Sequence, residues 1–232
     1  YNLMLKKIII FFLIFNIYSC ANYSRTSIDK LTGKSGSVKI VVVKPSVELF
    51  EVDAVGGQLL KAEWTTSAIN NVEIAMKDYF RENNVNVDFY LEDLTENQIE
   101  YIKLQKIISG IIQGHVVIPE RKLPTKEKEG LDWTLGSDFH NEFKNLNADY
   151  ILILNIKDFF STGGRILAQT LRALLIGSYA PLIQQGYGTL IDVNTGNFVW
   201  FDFVQAESFG DTRNKEGAED AVEKILKNLP KS

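Results

Sequence analysis

The chain has 232 residues, 45% of them hydrophobic and 11% aromatic, with 25 basic against 29 acidic side chains and a single cysteine. That aromatic content is enough for a packed core, which excludes disorder for the bulk of the chain. A formal net charge of −4 excludes the basic surface that nucleic acid requires, and one cysteine excludes an internal disulfide.

Residues 1–19 read as an export segment. Lys6 and Lys7 precede a mostly apolar run, and the small Ser19 stands before Cys20. Charged, apolar and cleavage regions in this order make a secretory signal, and the apolar run falls short of the roughly 20 residues of a permanent span. Met4 reads as the start of translation.

Ile17-Tyr18-Ser19-Cys20 resembles the lipobox of bacterial lipoproteins: an aliphatic residue, a variable one, a small one, then cysteine. Tyr18 is bulkier than the usual occupant. The resemblance implies that residues 1–19 are removed and that Cys20 receives a diacylglycerol and an acylated amino group. Because Ala21 rather than Asp follows, it also implies an outer-membrane location facing the periplasm. Three acyl chains, at roughly 0.8 kcal/mol for each buried methylene, make a long-lived anchor. With Lys6 and Lys7 gone, the 25 basic residues fall to 23 against 29 acidic ones, a net charge of about −6.

Residues 20–37 then read as the lipidated cysteine and a flexible tether, because 21–37 are rich in Ser, Gly and Thr. Such a coil would span roughly 20 Å. Gly33-Lys34-Ser35 is not a nucleotide loop: position 28, where the motif needs glycine, is Ile28, and a strand rather than a helix follows.

The domain proper is expected over 38–232. Val38 to Val43 is a β-branched run closed by Lys44-Pro45, hence a buried strand. Residues 47–54 and 58–62 flank Gly56-Gly57 as a hairpin. Ile69, Val72, Met76, Tyr79 and Phe80 fall on one helical face, predicting an amphipathic helix over 65–83, and 85–91 reads as a strand. Thr95-Glu96-Asn97-Gln98 is a capping box that opens a second helix. Tyr101, Leu104, Ile108 and Ile111 are expected on its buried face and Gly114 at its end.

Residues 119–136 form a Pro- and Gly-containing charged loop, and 137–146 a short helix. Residues 148–156 are the most apolar strand. After Gly163-Gly164-Arg165 comes an apolar stretch over 166–183 ended at Pro181. Leu167, Leu171, Leu174 and Leu175 make a stripe along it, while Arg172 and Gln169 argue against a membrane span. A helix packed on the sheet is the favoured reading, and an exposed surface for self-association or the bilayer is the alternative. Residues 187–193 and 197–204 flank Asn194-Thr195-Gly196 as a hairpin, and Ala218, Ala221, Val222, Ile225, Leu226 and Leu229 line a closing helix stopped at Pro230. Alternating strands and helices predict an α/β (α+β) domain: a single mixed β-sheet with packed helices, finished by a hairpin and a helix.

Several of these stretches resemble a group of uncharacterised proteobacterial lipoproteins: Glu48-Leu49, Ala62-Glu63-Trp64-Thr65, Leu123-Pro124-Thr125-Lys126, Asp132 to Gly136, Gly163-Gly164-Arg165, and Tyr187 to Phe201. Together they span most of the mature chain. More distantly, the element order is similar to the amino-terminal domain of TolB and to the curli-secretion lipoprotein superfamily, which carries an Asp-x-x-Thr-Gly hairpin, here Asp192 to Gly196. The near group brings no activity with it. The distant one implies envelope assembly or transport rather than catalysis.

No catalytic set, metal site or cofactor site is expected. His115 and His140 lack a His or Cys at i+3 or i+4, and there is no Gly-x-Ser-x-Gly elbow. Asp158 and Arg165 could converge near the end of the buried strand, either as a binding site or, preferred, as an ion pair fixing the loop. Trp64, Trp133 and Trp200 read as core or loop anchors rather than a ligand cage. The expected function is a non-enzymatic envelope lipoprotein, anchored through its N-terminal lipid, that binds another envelope protein or itself. A subunit of an oligomeric export assembly and an envelope hydrolase working through Asp158 or Arg165 are the alternatives.

Overall fold

The computed structural model describes residues 21–33, 37–90, 94–117, 123–126, 130–178, 182, 184–206 and 210–231. The expected signal segment and Cys20 lie outside the described residues, as do parts of the 119–136 loop and of the 166–183 stretch.

One mixed sheet of eight strands organises the domain, as the alternating pattern predicts. The strands are β1 (Ala21–Thr26), β2 (Ile40–Val43), β3 (Ser46–Val52), β4 (Gln58–Leu60), β5 (Val87–Tyr90), β6 (Tyr150–Ser161), β7 (Gln184–Asp192) and β8 (Phe198–Ala206). The helices are α1 (Ala62–Glu82), α2 (Glu96–Val117), α3 (Phe139–Phe143), α4 (Gly163–Ile176) and α5 (Lys215–Leu226). The order across the sheet is β1-β8-β7-β6-β2-β5.

The twelve-residue strand β6 is the hub. Its first half pairs parallel with β2, from Ile40 opposite Tyr150, and its second half with β3, from Ser46 opposite Asn155. Lys44-Pro45 divides β2 from β3, because proline has no N–H for a continuous ladder. β5 then pairs with β2 and β4 with β3. The other side of β6 meets β7 antiparallel.

Strand alternation sorts the core into two layers. Tyr150, Leu152, Leu154 and Ile156 of β6 join Trp200, α1 and α5 on one face, while Ile151 and Ile153 join Phe201, Phe203, α2 and α3 on the other. The expected inner residues of α5 are all buried, as are Val72, Met76 and Phe80 of α1. The capping box also forms: Gln98 N–H donates to Thr95 Oγ1 at 3.3 Å, and Thr95 N–H to Gln98 Oε1 at 3.1 Å.

The tether reading is corrected for the residues the structure describes. Residues 21–26 are β1, antiparallel to β8 with Ala21 opposite Gln205 and Thr26 opposite Trp200. The chain then stays strapped down, with Ser27 N–H on the Val199 carbonyl, Leu31 N–H on the Lys231 carbonyl and Leu31 buried. Polar composition misleads here because an edge strand needs only backbone bonds and a few packed side chains. Tyr23 supplies one of these, packed against the second core layer with Arg25 over its ring.

Candidate interaction surfaces and the Asp158 cluster

Asp158 lies within β6 rather than beyond it, and it is buried. Its carboxylate accepts hydrogen bonds from Gln184 Nε2 at 2.9 Å and from the Phe159 N–H at 2.7 Å. Burial outweighs those bonds and pushes its pKa up to about 6, the nearby Asp211 adding to the rise and Arg213 opposing it. Arg213 grips the Asp211 carboxylate with two nitrogens and lies over the rings of Phe160, at 3.8 Å, and Trp64, at 4.7 Å. That grip lowers the Asp211 pKa.

Arg165 occupies the first turn of α4, where its backbone N–H donates to Thr162 Oγ1 and its side chain is buried. Sequence reasoning thus found Asp158 but missed Gln184, Asp211 and Arg213. They are distant in the chain, and no local pattern ties them to β6.

The Asp158 cluster has the partners of a structural joint. Its acid is buried, and its amide and guanidinium are committed to carboxylates. A second carboxylate, Asp202, is held by Asn228 Nδ2 at 2.8 Å, and its pKa is also raised to about 6, chiefly by burial. His115 lies in α2 and His140 in α3. Among the described residues no three His, Cys, Asp or Glu side chains stand together as metal ligands. A groove of about 480 Å³ between α1 and α5 is lined by Asp78, Glu82, Glu219 and Glu223 with Lys227, an acidic and wet surface. Of the tryptophans, Trp200 is core, while Trp64 and Trp133 are partly buried beside it.

The unusual features are two helices that leave apolar side chains in water. In α2, Gln98, Gln105, Ser109 and Ile112 face inward, and Gln105 Nε2 donates to Thr189 Oγ1 at 2.7 Å and to Ser109 Oγ at 3.0 Å. Leu104, Ile107 and Ile111, spaced i, i+3, i+7, point to solvent, with Ile107 61% exposed. The expectation that Leu104 and Ile111 are buried is therefore corrected, whereas Tyr101 and Ile108 do pack on the core. This helix is apolar all round, so its period does not say which face turns inward.

In α4 the apolar exposure is greater. Thr162 caps its start, and Gly177, at φ 63°, ends it by donating to the Ala173 carbonyl. Glycine takes that left-handed backbone without a steric penalty. Arg165 is its one buried residue. At 100° per residue, Leu167, Leu171 and Leu174 fall on the side away from Arg165, with Leu175 at the flank of that stripe, and Leu174 and Leu175 are 78% and 80% exposed. The favoured reading, a helix packed by its leucines on the sheet, is corrected: the exposed-surface alternative describes these side chains. No helix among the described residues is long and apolar enough to cross a membrane.

No family model matches the chain, and no curated protein matches its sequence. Among solved structures, the PelC dodecamer from Paraburkholderia phytofirmans is similar at a TM-score of 0.41 and 12% identity, covering 91% of this chain and 99% of that one. Lipoprotein GNA1162 from Neisseria meningitidis gives 0.31 and 9%, covering 73% and 81%. The C-terminal domain of LpoB from Salmonella enterica gives 0.26 and 15%, covering 73% and 82%. None of these reaches the agreement at which one chain lends its activity to another.

Proposed function

We propose that this chain is a bacterial envelope lipoprotein, fixed through Cys20 to the periplasmic side of the outer membrane, whose domain works without catalysis by holding a protein partner. The observation that carries the binding role is the exposed apolar stripe of α2. Burying Gln105 and Ser109 while leaving Leu104, Ile107 and Ile111 in water is unfavourable for an isolated domain. It becomes favourable once an apolar partner covers the outer stripe. The partner is an envelope protein or a second copy of the chain, and repetition of that contact would build an oligomer.

A photo-crosslinking residue at position 107 in growing cells tests this reading. The expected result is one discrete adduct, lost when Leu104 and Ile111 are both changed to Asp while the domain still melts cooperatively. Absence of any adduct at 107, with the protein folded and membrane-bound, would contradict it. The adduct's mass separates a second copy from another protein.

A further inference from the structure

The register of the sheet brings the start of β1 and the end of β6 to one end of the domain. Ala21 stands opposite Gln205, Gln205 opposite Gln185, and Gln185 opposite Lys157, so these four residues form one row across β1, β8, β7 and β6. Three strand spacings put Lys157 about 14 Å from Ala21. β6 then runs on to Ser161, about 13 Å further along the strand, and α4 starts two residues later. The chain outside the structure therefore joins the sheet at the end from which α4 leaves, and Cys20 is the residue immediately before β1.

The turn of the β3–β4 hairpin lies at that end too. Val52 stands opposite Ser161, Thr162 N–H bonds to the Val52 carbonyl, and a Cβ on Gly164 would touch the Ala54 Cβ at 3.9 Å. Among the described residues, nine large apolar side chains are at least half exposed, and eight of them belong to this hairpin or to α4. Val55, at the turn, is 94% exposed. The opposite end of the sheet is polar, with Asp149, the Asp192 turn and Asn83, Asn84 and Asn86. Exposed apolarity is thus gathered where the chain enters the sheet.

We propose that α4, with the tip of the β3–β4 hairpin, lies in the interfacial layer of the phospholipid bilayer that the Cys20 acyl chains enter. The helix rests its leucine stripe on the lipid and keeps Arg165 and the sheet above it, the geometry of an interfacial amphipathic helix. The domain is then held by two contacts at one end of the sheet, with the strands tilted so that Cys20 and α4 reach the bilayer together. This inference rests on the lipidation of Cys20.

The test uses the full-length acylated protein in phosphatidylethanolamine–phosphatidylglycerol vesicles, with Leu174→Cys carrying an environment-sensitive fluorophore and Glu82→Cys, at the polar end of the sheet, as the control. Both sites are exposed, so neither change disturbs the core. Quenching by a lipid-borne nitroxide is expected at 174 and not at 82, with access of aqueous iodide to 174 reduced several-fold against the same protein in lipid-free buffer. Iodide access at 174 equal to that at 82 would overturn the proposal. Protection of 174 from both quenchers would also overturn it, by showing a protein contact there. The mass of the purified protein reports acylation separately: an unacylated chain would fail the lipoprotein reading, whereas an acylated chain with 174 in water fails only this one.

Discussion

Ala21 pairs with Gln205, so the sheet takes up the chain at the first residue after Cys20. On the proposed lipidation of Cys20 there would be little slack between bilayer and domain, and β1 covers one edge of β8. Backbone amides in 22–26 that bond to β8 should therefore exchange with solvent as slowly as those of β8 itself. Hydrogen-exchange mass spectrometry measures this directly. Exchange within the dead time, as in a free coil, would contradict the pairing.

The packing of Trp200 and α5 against β7 depends on the absence of a side chain at Gly188. A Cβ there would come within 2.6 Å of the Trp200 ring and 3.2 Å of Ile225 Cγ2. Trp200 is fully buried and cannot retreat without moving α5. Gly188→Ala should destabilise the domain by about 1–3 kcal/mol through overpacking. Urea denaturation at constant pH would show it as a lower midpoint with an unchanged slope.

The two raised carboxyl groups make acid tolerance a property of the fold. Asp158 and Asp202 have an ordinary pKa of 3.8, and each is pushed up to about 6. Between those values the folded protein binds more protons than the unfolded chain, so stability must fall as pH rises through the window. The penalty is complete above about 6 and absent below about 3.8. Asp158→Asn should remove part of that slope, amounting to no more than about 3 kcal/mol over the window, because the amide still offers Gln184 an acceptor. Denaturation midpoints of the native and variant chains at several pH values check the sign. A midpoint that rises with pH in the native chain, equally in the variant, would contradict this account of Asp158.

Leu171 and Leu175 are 49% and 80% exposed along α4. Changing both to Lys should leave the melting temperature of the detergent-free domain nearly unaltered, within about 0.5 kcal/mol for each site, as for ordinary surface positions. Loss of cooperative unfolding in the double variant would place the leucines in the core and return α4 to the packed reading.

Much of the architecture was legible from local pattern. The β-branched run at 40–43, the apolar run of β6, the capping box at Thr95 and Gln98 and the Asp192-to-Gly196 turn each specify their element with residues a few positions apart. What the sequence hid was direction. Periodicity in α4 marks a leucine stripe without saying whether it faces sheet or solvent, and α2 carries apolar residues on every side, so its inward face is chosen by Gln105 meeting Thr189, 84 positions away. β1 was hidden for a related reason: its polar residues look like a coil until β8 supplies a partner about 180 positions later. The Asp158 cluster likewise assembles from Gln184 and Arg213, which only the tertiary fold brings near.

The measurement that bears most directly on the central claim is metabolic labelling with radioactive palmitate, comparing the native chain with Cys20→Ser and following both through membrane fractionation. The account predicts a labelled native protein in the outer-membrane fraction and an unlabelled, signal-retaining or soluble variant. Equal labelling of the two, or no label in the native protein, would contradict a lipid anchor at Cys20.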